Sequence, residues 1–432
     1  SIYYNKDKNA IRPSSPSIHH VVVGNSAAAI SAIKAIREND PESKITLISA
    51  EDCYAYSPVL QTYYLAGKIS RSQVFLTDSN YYREFGVTLK LGGKVEDIDL
   101  QNSRVILANG DRISYDHLLI ATGSSAKRLG VDGDLLPGVF TLKTLSDADN
   151  ILSYLLFKKR IAIIGGGLIG LQAANALTGM QRHINLIVGS NQPLSQNVDG
   201  ECSQFITDSI KNSGLSIRFD TRAVRITKDH KQLEIHLNTG ESLAVDAAIV
   251  GKGIVPNAGL AKKAGIKVNR GIVVDPCMRT DSQNIYAAGD VAEGLNQTTG
   301  ERQVVATWVN ACAQGRAAGV NMSGGKVTYT GLNCNVCSIL GKSVASVGVT
   351  KPSPDQHRSK TFTHPSGIFY RNIIFNENDE IAGAVMVDQV SDIGLIRNMI
   401  IKRVKVPDRL KDRIVRAPIS YGLIYNCSVL QK

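Results

Sequence analysis

The run Arg160-Ile161-Ala162-Ile163-Ile164-Gly165-Gly166-Gly167-Leu168-Ile169-Gly170 constrains the fold more than any other part of the chain. Its first residues are apolar and numerous enough for one buried strand. They break into glycines, and a helical spacing then resumes through Leu171, Ala173, Ala174 and Leu177. Strand, glycine turn and helix in that order make G-x-G-x-x-G a dinucleotide-binding signature. Gly165 serves the tight turn, Gly167 lets a pyrophosphate approach the backbone, and Gly170 lets helix and strand pack closely. The free N–H groups at the helix start, around Leu168 and Ile169, would then face phosphate. A glycine-rich surface turn would not explain the apolar strand before it.

At 432 residues the chain is expected to hold two or three domains. Apolar residues are 43% and charged residues 20%, a globular balance. No apolar run reaches the ~20 residues of a membrane helix. Residues 1–20 carry Lys6, Lys8 and Arg12 and no apolar signal core, so the expected location is cytoplasmic. The net charge is +11, and Lys402, Arg403, Lys405, Arg409, Lys411, Arg413 and Arg416 crowd one late stretch. That stretch reads first as a solvated basic face, and second as a docking patch for an acidic electron-transfer protein or complex partner. Nucleic acid is not an expected partner, because no aromatic-interleaved basic groove occurs. Seven cysteines are an odd number and argue against a disulfide framework. Cys334 and Cys337 are the only close pair, in an expected 331–341 loop; one pair cannot complete a four-cysteine zinc site, and no metal is expected.

A second nucleotide unit precedes the first: a strand over 19–23, a turn from Gly24 to Ala29, a helix over 30–38 and a strand over 44–48. Ser26 and Ala29 replace two fingerprint glycines, and both are small. Ser49 stands where the ribose-binding carboxylate is expected, and Glu51 follows two residues later, either as that ligand or as a surface acid. A strand over 115–122 leads into Gly123, and another over 247–250 ends in Gly251-Lys252-Gly253. Residues 284–290 read as a strand, a turn with Gly289, and Asp290 opening a helix. Residues 303–321 read as a small-residue helix made to pack on a cofactor or sheet. After Gly324-Gly325 come strand-like runs at 344–349, 368–375 and 381–387 and a helix over 393–403, an α+β unit.

These pieces resemble the pyridine nucleotide–disulfide oxidoreductase superfamily, nearest its NADH:rubredoxin reductases and the flavin part of NADH-dependent nitrite reductases. The resemblance rests on GGGLIG at 165–170, Ala121-Thr122-Gly123, Tyr286 to Asp290, Trp308-Val309-Asn310-Ala311 with Gln314-Gly315, and Tyr370-Arg371-Asn372 through Gly383-Ala384. It implies an α/β fold with two Rossmann-like nucleotide-binding domains, for FAD and NAD(P), and a smaller C-terminal α+β domain. The implied ranges are a flexible lead at 1–17, FAD-binding parts at 18–135 and 254–325, an NAD(P)-binding domain at 136–253, and a C-terminal interface domain at 326–432, the surface expected for any oligomer. The implied FAD contacts are Gly24, Ser26, Ala29, Glu51, Val95, Thr122, Gly123, Gly289, Asp290 on the ribityl chain, and Trp308 near the flavin. The implied nicotinamide-cofactor contacts are Gly165, Gly167, Leu168, Ile169, Gly170 and Gly253. The implied function is an FAD-dependent oxidoreductase that passes electrons from NADH or NADPH through FAD to a redox partner protein or a small acceptor. Flavin carries that chemistry, so no side-chain acid, base or nucleophile is assigned.

Departures from the family pattern sharpen the expectation. Val59 stands where disulfide-reducing members carry a redox cysteine, and Cys53 is six residues away. Val188 and Gly189 end the second strand of the middle unit, where a carboxylate would bind the NADH ribose. Arg182 and Lys231 have no motif-given place there, so NADH and NADPH are expected within about tenfold of each other. Gln172 replaces a glutamate that many members carry. Two alternatives follow: a dithiol enzyme using Cys334 and Cys337, and a catalytically idle FAD-binding subunit of a larger complex.

Overall fold

Val-, Ile- and Leu-rich runs covered on both faces build parallel sheets, and the chain contains two. The computed structural model describes residues 17–180, 182–296, 300–329 and 331–423. The expected flexible lead lies outside these except for Ser17, as does Cys427. The first sheet runs in the order Ile285–Ala287, His117–Ile120, His19–Val23, Lys44–Ile48, Val87–Lys90, all parallel. The second runs Ser216–Arg218, His183–Ile187, Arg160–Ile164, Ala247–Val250, Val139–Thr141, again all parallel. In each, the strand before the glycine turn is central. Strand order therefore reverses at that turn, which is where open α/β sheets bind ligands. Each unit also carries an antiparallel meander: Val95–Asp99, Arg104–Leu107 and Arg112–Ser114 in one, Ala223–Lys228, Leu233–Leu237 and Ser242–Val245 in the other.

The third body is an antiparallel sheet in the order Cys334–Ile339, Lys342–Gly348, Ile381–Val387, Tyr370–Asn376, His357–Thr363. Helices Ile393–Ile401 and Asp408–Arg416 pack on it. Its first strand corrects the expected loop around Cys334 and Cys337. Buried Arg371 reaches across to buried Asp392 in a two-pronged ion pair, Nη1–Oδ1 2.8 Å and Nη2–Oδ2 2.7 Å. Lys411 corrects the picture of a wholly solvated basic stretch: it is buried and pairs with Asp379 and Asp408. No helix of the described residues is long and apolar enough to cross a membrane.

Two other expectations change. Asp290 does not open a helix: Ala292–Leu295 continues as a strand, with Ala292 opposite Ile272. The buried Glu293 carboxylate fixes that pairing by accepting from the backbone N–H groups of Arg270 (2.8 Å) and Gly271 (3.0 Å). The small-residue helix spans Trp308–Met322 rather than 303–321, because Arg302–Gln303 pairs with Gly294 and Leu295.

Under the first sheet, His20 is fully buried and stacks on His117 at 5.2 Å. Among the described residues neither ring nitrogen of His20 has a hydrogen-bond partner. Burial, and then the neighbouring His117, push the His20 pKa from 6.5 down to about 4, although Asp40 and Asp116 pull it upward. Burial lowers His117 as well. Between pH 6.5 and about 4 the unfolded chain therefore binds more protons than the folded one. Stability rises with pH across that window and is lost as pH falls through it. The urea midpoint should drop steadily between these limits, and His20→Phe should flatten the slope; an equally steep His20→Phe profile would place the acid sensitivity elsewhere.

Candidate functional site

Two glycine turns share one backbone geometry. Gly165 has φ +131°, and a Cβ there would lie 2.2 Å from the Gly251 carbonyl oxygen. Gly24 has φ +118°, and its Cβ would lie 2.0 Å from the Ala121 oxygen. Both turns feed a helix, Leu168–Thr178 or Ala27–Asn39, whose N-cap (Gly167 or Ser26) is extended and makes no side-chain cap bond. The first intrahelical bonds are Leu171 N–H to Gly167 and Ile30 N–H to Ser26. The earlier N–H groups, those of Leu168, Ile169 and Gly170 in one turn, are left for an external acceptor. Gly167 borders open space, while a Cβ on Gly170 would lie 1.9 Å from the Gly165 oxygen. The glycines thus divide into an open face and a packing contact. Ala29, at the third position of the other turn, is fully buried, so a methyl group fits there.

Asp290 reaches the Gly24 turn through Gly289, whose Cβ would lie 3.3 Å from the Ala28 methyl. Gln314 Oε1 accepts the Gly289 N–H at 2.8 Å. The Asp290 carboxylate accepts from Ser124 Oγ (2.7 Å) and Lys143 Nζ (2.9 Å), both on Oδ2. Oδ1 accepts nothing among the described residues. Lys143 is itself held from behind, its carbonyl accepting from Gln61 Nε2 at 3.1 Å. Asn257 clamps the Thr122–Gly123 loop: its Nδ2 donates to Thr122 O (2.9 Å), its N–H to Gly123 O (2.9 Å), and its Oδ1 accepts from Ser125 Oγ (2.7 Å). Sequence reasoning missed Lys143, Ser124, Gln61 and Asn257, and no local pattern marks them.

Glu51 stands on an exposed loop that the turn touches, Asn25 Nδ2 donating to Cys53 O at 3.3 Å. Its Oε2 accepts from Tyr56 O–H at 2.8 Å, and burial followed by the Glu51 charge keeps that phenol protonated. Val95 begins the first meander, half-buried against the core of the first unit. Trp308 heads its helix, half-buried, with buried Thr307 Oγ1 and Asn310 Oδ1 beside it lacking partners among the described residues. Gly253 is exposed, with open space where a Cβ would stand, and its carbonyl accepts the Lys127 N–H. Open cradles, uncapped helix starts and unpartnered polar atoms fit two nucleotide cofactors.

The thiols fit disulfide chemistry badly. Val59 is 49% exposed on its loop. Burial, then Glu51, push Cys53 up to about 11. Cys334 and Cys337 lie three apart on one strand and so point to opposite faces. They pack against different cores, and burial raises Cys337 to about 11. The dithiol alternative has no geometric support, and the intact cradles give none to an idle subunit.

A family model described as pyridine nucleotide-disulphide oxidoreductase matches residues 18–315. The chain belongs to this family. It is similar to the epsilon subunit of NADH-dependent phenylglyoxylate dehydrogenase from Aromatoleum evansii, 27% identical over 93% of this chain and 96% of that protein. It is also similar to the ferredoxin–NAD(+) reductase subunit of the benzene 1,2-dioxygenase system of Pseudomonas putida, 27% identical over 91% and 95%. The solved covalent putidaredoxin reductase–putidaredoxin complex shares the fold, with a TM-score of 0.86 over 95% of this chain and 99% of that one at 23% identity. The protein is an FAD-dependent NAD(P)H oxidoreductase.

Two outcomes follow from the geometry. Asp290→Ala should weaken FAD retention by roughly 1.5–3 kcal/mol, the value of a charged acceptor on a hydroxyl, read as FAD lost on dilution and gel filtration. Gly167→Val should cut nicotinamide-nucleotide affinity by more than about tenfold while leaving the melting temperature near wild type. Gly170→Val meets backbone and should instead lower the melting temperature, at a cost of about 1–3 kcal/mol. Equal melting temperatures for the two valine variants would contradict this division.

Proposed function

We propose that the chain moves electrons from a nicotinamide nucleotide through FAD to an acidic electron-transfer protein, without a thiol beside the flavin. The observation that carries this reading is Val59 at the redox-cysteine position, with the nearest cysteine of the loop, Cys53, held as a thiol. Bound FAD supplies the ability to take a hydride and release electrons singly. The chain's residues then bind and orient. Gly24, Ser26 and Ala29 form the FAD pyrophosphate turn, Asp290 holds the ribityl chain, and Lys143 with Ser124 fixes the Asp290 rotamer. Glu51 takes the adenosine ribose, Val95 lies by the adenine, and Thr122, Gly123, Gly289 and Trp308 line the middle and the flavin end. Gly165, Gly167, Leu168, Ile169, Gly170 and Gly253 receive the nicotinamide nucleotide.

We divide the chain into FAD-binding parts at 18–135 and 254–325, an NAD(P)-binding unit at 136–253 and a C-terminal unit from 326. The pairing of Ser124–Ala126 with Ile254–Pro256 supports the two-part FAD unit. Lys402, Arg403, Lys405, Arg409, Arg413 and Arg416 are exposed on the C-terminal unit. That field raises association rates with an acidic partner, and the Pseudomonas putida relative is named for a ferredoxin. Exposed Val336 and Ile368 support the same unit as the surface for self-association. A cytoplasmic site of action accords with a chain whose described cysteines are all free.

Alkylation with iodoacetamide tests the central claim. Anaerobic flavin bleaching by NADH or NADPH should keep at least about half its starting rate, since thiols pushed this high are neither reactive nor required. A large loss traced to Cys53, Cys334 or Cys337 would overturn it.

A further inference from the structure

The strand His183–Ile187 runs out at Val188 and Gly189, and the chain supplies no carboxylate there. Val188 turns inward: its side chain is 1% exposed. Its methyl carbons lie 2.7 and 2.9 Å from where a Cβ on Gly166 would sit. Gly189 is the residue that opens outward, and two cations close over it. A Cβ on Gly189 would lie 3.5 Å from Arg222 Cγ, 3.7 Å from Arg222 Nε and 3.8 Å from Lys252 Nζ.

Both cations are positioned by the frame that shapes the phosphate cradle. The N–H of Thr221 donates to Val188 O at 3.0 Å, which ties the segment before Arg222 to the strand end. Asn238 then locks the Arg222 backbone from both sides, Oδ1 accepting its N–H at 2.8 Å and N–H donating to its carbonyl at 3.0 Å. Lys252 follows Gly251, the residue whose carbonyl backs Gly165. Both side chains are exposed, and among the described residues neither makes an ion pair or a side-chain hydrogen bond. Asp220, the nearby acid of that loop, pairs with neither. A guanidinium and an ammonium at one strand end, neither paired with a carboxylate among the described residues, suit a phosphate dianion.

We propose that Arg222 and Lys252 form a subsite for the adenosine 2′-phosphate of NADPH, so that the enzyme selects NADPH over NADH. The proposal rests on the nicotinamide-dependent reading above and refines it. It also replaces the sequence-based expectation of weak discrimination, which found no base following Val188. The bases come from elsewhere in the chain.

Calorimetry on the FAD-loaded protein reads the subsite without turnover. Adenosine 2′,5′-bisphosphate should bind at least about tenfold more tightly than 5′-AMP, and NADP⁺ than NAD⁺, with both ratios shrinking as salt is added. Arg222→Ala and Lys252→Ala should each cut the NADP⁺/NAD⁺ affinity ratio severalfold, and Arg222→Lys should retain more of it than Arg222→Ala. Gly189→Glu, which sets a carboxylate against both cations, should reverse it. Equal affinities for the two nucleotides, or a ratio unchanged in both alanine variants, would overturn the inference. If NADH and NADPH bleach the flavin and bind alike, only the inference falls. If neither binds nor bleaches it, the nicotinamide-dependent reading falls with it.

Discussion

Two helices touching backbone to backbone hold the Gly24 turn and the Asp290 segment together. A Cβ on Gly315 would lie 2.1 Å from the Ala28 carbonyl oxygen, and one on Gly319 would lie 2.4 Å from that of Ala32. Helix Trp308–Met322 therefore lies against helix Ala27–Asn39 at a separation only glycine permits. This corrects the expectation that the small-residue helix packs on a sheet or cofactor: its glycines face another helix. Much of the site follows from that contact. Gln314, next to Gly315, holds the Gly289 N–H, and Gly289 rests on Ala28. Asp290 thereby arrives at the uncapped start of the first helix. Any side chain at residue 315 would lift the whole assembly, including an aspartate far from it in sequence.

The two nucleotide units use one frame with different tolerances. In both, the first glycine of the turn presses on the carbonyl of the neighbouring strand's end, Ala121 or Gly251. In the first unit the third position accepts a buried methyl, at Ala29. In the second unit Gly170 meets the Gly165 carbonyl at a distance that admits none. This explains why the third fingerprint glycine is kept in one unit and replaced by alanine in the other.

Much of this frame was legible in the sequence. The strands at 19–23, 44–48, 160–164 and 247–250 fall where continuous apolar runs meet glycine or polar breaks. Buried parallel strands need apolar side chains on both faces, so these runs carry their own signal. Cys334–Ile339 has no such signal. Its polar Asn335 and Ser338, between Gly331 and Gly341, read as a loop, and it becomes a strand because Lys342–Gly348 pairs with it. Asp290 misled because an acid after a glycine looks like a helix cap. The deciding partners were remote: Ile272, and the 270–271 backbone that the Glu293 carboxylate holds. Lys143, Asn257, Arg222 and Lys252 were illegible for the same reason. Each acts at a distant partner, and one chain's sequence does not encode which lysine will meet which aspartate.

The C-terminal sheet belongs mechanically to the second parallel-sheet unit. Ile339, Val344, Tyr370, Val385 and Val387 share one buried apolar cluster with Ile161, Leu171, Ile184 and Cys202. A shared core is far stiffer than the polar interfaces that let domains swing. Apolar contact alone is non-directional, so the polar bonds across it fix the docking angle. Asp199 does this with both oxygens. Oδ1 caps the Gly200–Asn212 helix at the Cys202 N–H, 2.9 Å, while Oδ2 accepts from Tyr370 O–H and Asn372 Nδ2, each 2.9 Å. Burial, reinforced by the Asp199 charge, keeps the Tyr370 phenol protonated and therefore a donor. Ser209 Oγ and Asn175 Oδ1 hold the two sides of Leu340 in the same way. A protein docked on the basic helix of this unit would thus be held at a fixed attitude to the second parallel sheet, because the antiparallel sheet shares that sheet's apolar core.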